Sequence, residues 1–210
     1  MNQVAVKAYP SLGDNSMSLS RRQFVSGLIA APALLPSSAW AEQFAINMKE
    51  ATQVEYKYQL REMEFETAEP VGTIVVDSSK RFLYLVLGGG MATRYGCSLG
   101  HGATAWRGEV TINKMSEWPV WRPAPYHLQR KPDLAKWLPD GMPGGPDNPL
   151  GARAMYLFKG EVDTVNRIHG GAKIADIGSK KTAGCIGMLN AHITHLYAQV
   201  QVGTRVVMLG

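Results

Sequence analysis

Between residues 70 and 112 the apolar positions come in short runs cut by glycines and polar turns, a pattern of strands rather than helices. Residues 72–77 and 81–87 are predicted strands joined by Ser78-Ser79-Lys80. The triplet Gly88-Gly89-Gly90 turns the chain, and residues 92–98 form the return strand. No lysine and hydroxyl pair follows that triplet and no helical pattern begins there, so it reads as a hairpin turn and not a phosphate cradle. Residues 106–112, 152–158 and 165–169 continue the series, and residues 204–209 are a final strand apolar enough to be interior. Helical spacing is found over residues 191–200, where Ile193, Leu196, Tyr197 and Val200 recur behind Asn190 as N-cap; residues 134–138 allow a helical turn or two. The predicted class is mostly β, a sandwich or barrel of short strands.

Other stretches resist regular structure. Pro119, Pro123 and Pro125 each lack a ladder donor, so residues 117–125 are loop or edge. Trp118 and Trp121 within it are read either as groove walls or as covers over a core edge. Residues 139–151, rich in glycine and proline, are a loop. Residues 42–65 form a mixed, polar N-terminal arm in which Tyr56, Tyr58 and Leu60 alternate as in a short strand.

The first 41 residues have a separate character. Ser20-Arg21-Arg22-Gln23-Phe24 precedes an apolar run over residues 24–35, and Ala39-Trp40-Ala41 has the small residues of a cleavage site, as in a twin-arginine export signal. The run is too short for a spanning helix, which takes about 20 apolar residues. Cleavage after Ala41 removes Lys7, Arg21, Arg22 and Asp14, so the net charge falls from +5 to +3 over 169 residues. No basic run remains to bind nucleic acid. The expectation is a periplasmic or cell-envelope protein without a transmembrane helix in its mature form.

Two cysteines, Cys97 and Cys185, are expected as free thiols. Cys185 stands between Gly184 and Ile186, with His169 sixteen positions upstream, a nucleophile and a base for acyl transfer. Glycine before the thiol lets a substrate carbonyl approach the backbone, and the N–H groups of Gly184 and Cys185 are candidates for an oxyanion hole. Strand alternation puts Val165, Arg167 and His169 on one face, with a positive charge beside the base. His192 and His195 lack a nearby carboxylate or thiol and make a poor zinc site; His101 and His127 are read as solvated loop residues.

With these residues in view, the chain resembles the L,D-transpeptidase catalytic domain, or YkuD domain. The resemblance rests on Arg167-Ile168-His169-Gly170-Gly171 and Thr182-Ala183-Gly184-Cys185-Ile186, on Asn190, on residues 202–207 and on the motifs at 117–119 and 141–154; it covers residues 66–210. It implies a YkuD-like mixed-strand fold with a short helix after the cysteine, acting on peptidoglycan stem peptides in cell-wall biogenesis. Cys185 would be the nucleophile that forms a thioester with a tetrapeptide and releases D-alanine, and His169 the base. A main-chain carbonyl at Gly170 or Gly171 would orient the ring. The acceptor is an amine, on a second stem peptide or an outer-membrane protein; water would make a carboxypeptidase or endopeptidase, and loss of activity a silent wall-binding protein. No metal or organic cofactor is implied. Gly187 stands where the family usually has arginine, and Ala183 where serine or histidine is common. Arg167 and Arg153 are candidates for the missing charge, and Thr182, Trp118 and Trp121 complete the expected substrate-binding set.

Overall fold

The computed structural model describes residues 44–100, 108–179 and 185–209. The expected leader, His101, the start of the strand at Trp106, and Thr182, Ala183 and Gly184 lie outside the described residues.

The described residues begin with a short helix α1 (Glu50–Gln53) and a 3₁₀ turn (Tyr56–Tyr58). Strands β1 (Arg61–Glu64), β2 (Ile74–Asp77), β3 (Phe82–Gly88), β4 (Met91–Gly96), β5 (Ser98–Leu99) and β6 (Gly108–Glu117) follow. Helix α2 (Pro125–Arg130) and a 3₁₀ segment (Pro132–Trp137) come next. The chain then forms β7 (Arg153–Lys159), β8 (Val162–His169), β9 (Ile186–Gly187), helix α3 (Asn190–Tyr197) and β10 (Arg205–Leu209). The strands form one ladder in the order β1-β4-β3-β2-β10-β6-β7-β8-β9-β5. It is mixed: β10 runs parallel to β2 and β8 parallel to β9, and the other pairs are antiparallel.

Period-two alternation sorts the side chains. Ile74 and Val76, Leu83 and Leu85, Val110 and Ile112, Met155 and Leu157, Val206 and Met208 all enter one core, with Ile193 and Leu196 of α3 laid over it. The opposite face of β2 and β3 is also covered. Val75, Tyr84, Val86 and Ala92 form a second cluster, packed by Met63, Phe65 and Phe82. Phe65 stacks on Tyr84 with centroids 4.2 Å apart, a contact of about 0.5–1.5 kcal/mol beyond its area burial. Burial on both faces explains why the strand sequences here are nearly continuous apolar runs.

Three local expectations change. The strand expected over Tyr56, Tyr58 and Leu60 begins instead at Arg61, because Val54 and Tyr58 pack in a small cluster with Ile177 and Leu189, and that contact needs a turn. The expected loop holds over 118–124, but at Pro125 a helix begins, with the proline in its first turn, where the ring's fixed φ fits and the missing N–H costs nothing. The face shared by Arg167 and His169 does not extend regularly to Val165. A bulge intervenes there, with the register shifting between Tyr156 and Phe158 and Val165 at φ +61°.

Candidate active site

Two isoleucines set the site's geometry. Ile168 of β8 and Ile186 of β9 are both core residues and are direct partners in the parallel register, as are His169 and Gly187. Their neighbours Arg167 and Cys185 therefore project to the other side, where both line a cleft of about 520 Å³. The nucleophile candidate thus sits at the start of β9, and the base candidate at the end of the adjacent strand.

His169 is buried, and its Nδ1 donates to the Gly170 carbonyl at 2.7 Å. With that nitrogen protonated, Nε2 carries the lone pair and is the position able to accept a proton. Burial pushes the imidazole's pKa below its ordinary value, the Gly170 bond opposes this, and the Arg167 charge lowers it further. Cys185 is partly exposed. Burial raises its pKa, while the Arg167 backbone N–H and guanidinium pull the other way. Both shifts favour the neutral forms, thiol and imidazole.

The loop after His169 is held by Asn190. Its Oδ1 accepts the N–H of Ala152 at 2.9 Å and of Gly171 at 3.0 Å, joining the segment that enters β7 to the segment that leaves β8. A Cβ on Gly151 or Gly170 would collide with that oxygen, so both must be glycine. Asn190 was expected to cap its own helix. It makes no such bond, and the Ala191 N–H is instead taken by Glu50 Oε1 at 2.8 Å. A second asparagine organises the glycine- and proline-rich loop: buried Asn148 donates to the carbonyls of Pro119, Met142 and Pro143 and accepts from Leu150 N–H.

A model of the L,D-transpeptidase catalytic domain, YkuD, matches residues 72–208. The chain belongs to this family. ORF 5 in the ATP synthase subunits region of Fuscovulum blasticum, described as a candidate L,D-transpeptidase, is 42% identical over 100 residues, or 48% of either chain. ErfK/SrfK of Escherichia coli K12, described as a probable L,D-transpeptidase, is 35% identical over 97 residues, 46% of this chain and 30% of that one. The match therefore spans about half or less of these curated relatives' length. A crystal structure from Brucella melitensis, described as a probable carnitine operon oxidoreductase, is 41% identical, covers 78% of this chain and 100% of its own, and has a TM-score of 0.51; the oxidoreductase wording belongs to that protein.

Within this L,D-transpeptidase-family domain the expected substrate residues separate. Trp121 and Arg167 line the cleft. Trp118 does not: it is buried edge-on against Phe44, with ring centroids 5.0 Å apart. Arg153 does not line it either. It is buried, donates to the Ala152 carbonyl, approaches Glu117 at 3.6 Å and lies over the Tyr197 ring. Arg167 is engaged by Asp163 through two bonds of 2.7 and 2.8 Å. Gly171 lies in a left-handed turn, where a Cβ would press on the Pro149 carbonyl, and Gly187 is buried between β5 and β8.

The sequence reading also missed cleft residues. His127, expected to be solvated, is half-buried on α2, accepts the Ala124 N–H at 3.0 Å through Nδ1, and lines the cleft with Tyr126. Lys114 and Arg122 line it as well. Nothing in their local sequence marks them, because α2 and the end of β6 meet Cys185 only in the folded chain. His192 was judged only as a metal ligand; it is fully buried against Tyr95, with neither ring nitrogen hydrogen-bonded.

Proposed function

We propose that this protein is a cysteine-dependent acyltransferase acting on peptidoglycan stem peptides. The observation that carries the reading is Cys185 opening into a cleft beside a strand that ends in a buried histidine, whose Nδ1–H is committed to the Gly170 carbonyl. The Cys185 proton passes to His169 Nε2 as sulfur attacks the carbonyl of the L,D bond. The tetrahedral oxyanion is held by the N–H groups of Gly184 and Cys185. It collapses to a thioester as the C–N bond breaks, and the departing D-alanine amine takes the proton from His169. An acceptor amine then gives a proton to His169, attacks the thioester and releases the thiol. The acceptor is a second stem peptide or an envelope protein.

The arginine pair at 21–22 with the apolar run and small-residue site behind it supports export through a twin-arginine signal over residues 1–41 and a periplasmic site of action. In this reading residues 42–65 are an arm and residues 66–210 the catalytic domain. No helix among the described residues is long and apolar enough to cross a membrane.

The test is mass spectrometry of the protein after incubation with a defined stem tetrapeptide, with and without an amine acceptor. The expected result is an acyl adduct on Cys185 with loss of D-alanine, absent from Cys185→Ala, and a cross-linked product when the amine is added. Hydrolysed tripeptide alone, whatever the amine, identifies water as acceptor. No adduct and undiminished turnover in Cys185→Ala overturns the mechanism.

A further inference from the structure

Among the described residues three cations line the cleft, Lys114, Arg122 and Arg167, and no carboxylate does. They are not equivalent. Arg167 is matched by the two bonds to Asp163, donates also to the Asn166 carbonyl at 2.8 Å, and lies over the Tyr156 ring at 4.4 Å. Its charge is compensated and its donors are largely committed. Lys114 has no carboxylate within 4 Å among the described residues and acts on Asp163 only at longer range; its Nζ lies 5.0 Å from the centroid of Tyr156, its antiparallel partner. Among the described residues Arg122 donates through Nε alone, to the Pro139 carbonyl at 3.3 Å, and the two outer nitrogens of the fork have no acceptor there. Tyr156 links the two, since Lys114 sits by its ring and Arg122 acts electrostatically on its hydroxyl.

Surface cations usually find a carboxylate or open solvent. Here two, both solvent-exposed, have no ion-pair partner among the described residues and line a cleft whose other walls include Val120, Trp121, Tyr126 and Leu150. A cleft lined by one sign of charge concentrates that positive field on whatever enters. A guanidinium presents a planar fork suited to a carboxylate, and an ammonium supplies a mobile point charge beside it.

We propose that Lys114 and Arg122 form the recognition site for a carboxylate of the acyl donor, and so determine which peptides reach Cys185. The inference rests on the acyltransferase reading above and names the feature of the substrate that the cleft selects. The carboxylate is either the terminal one or that on the side chain of the residue before the scissile bond; both present the same chemistry.

The experiment measures the second-order rate of Cys185 acylation, by intact mass, for three donors: the free tetrapeptide, its terminal amide, and the peptide amidated on that side chain. Wild type, Lys114→Gln and Arg122→Gln are compared. Alkylation of Cys185 by iodoacetamide, a small neutral electrophile, reports whether nucleophile and fold are intact. In wild type one amide is expected to react roughly 10-fold or more slowly than the free acid, the loss of a charge-assisted hydrogen bond, and the slow amide identifies the carboxylate. Each variant should slow the free acid by a similar factor, leave that amide and iodoacetamide unchanged, and thereby erase the discrimination. The acid preference should also weaken with added salt. Equal rates for all three donors in wild type, or an acid-to-amide ratio unchanged in both variants, overturns the inference while the acyltransferase reading stands. If iodoacetamide alkylates Cys185 but none of the peptides acylates it, the acyltransferase reading falls, and this inference with it.

Discussion

Replacing Asn190 by alanine removes one oxygen and leaves two backbone donors without their acceptor. The Ala152 N–H lies in a fully buried residue, whereas Gly171 is exposed and water can reach it. A buried donor left unsatisfied costs about 1–3 kcal/mol, and a bond that water replaces about 1 kcal/mol. The expected loss is therefore about 2–4 kcal/mol in urea-unfolding free energy, with an unchanged denaturant slope. For a domain of this size that is roughly 5–15 °C in Tm. Because the same oxygen fixes the segment carrying the Gly170 carbonyl that holds His169, the acylation rate should fall roughly 10- to 100-fold. Asn190→Asp keeps the acceptor and should lose less than half as much stability. A loss below about 0.5 kcal/mol with an unchanged rate would show that both amides find other partners, and the positioning argument would be wrong.

Two further outcomes follow from the titrating groups. His169 must be neutral to accept the thiol proton, and burial and the Arg167 charge lower its pKa, so the acid limb of the acylation rate should lie below the ordinary histidine value of 6.5. Arg167→Gln removes a cation that opposes protonation and should move the limb to higher pH; a wild-type limb at or above 6.5, or one unmoved by the substitution, refutes this. Buried His192 is held down to about 4, by burial first and His195 second. The unfolded chain then binds the extra proton between pH 6.5 and about 4, so stability is lost as pH falls through that window, on the order of 2–3 kcal/mol by pH 4.5. His192→Phe should abolish that component in urea unfolding compared at pH 7 and 4.5; an acid loss equal to wild type's contradicts it.

Much of this site is legible in the chain because its signals are local. Glycine before Cys185, and a histidine followed by glycines at the end of an alternating strand, are readable from neighbours alone. The roles of Asn190 and Trp118 are not. Asn190 has the residue type and position of a helix cap, and a local rule assigns it one, yet its oxygen is taken by two amides about 20 and 40 residues away. Trp118 sits beside prolines in a stretch that more often covers a core edge than walls a groove, and local sequence leaves both open; contact with Phe44 decides for the cover.

By itself the sequence determined the strand series and its turns, and it proposed a thiol and an imidazole as candidates, since alternation and glycine placement act over a few residues. Which cations face the thiol was decided only by tertiary structure. Asp163 reaches Arg167 from four residues away on the same strand, a local pairing, whereas the convergence of Lys114, Arg122 and Arg167 on the cleft that holds Cys185 belongs to the fold. Lys114 on β6, Arg122 beyond it and Cys185 before β9 are far apart along the chain, and they share a cleft only because β6, β7, β8 and β9 lie side by side in one sheet.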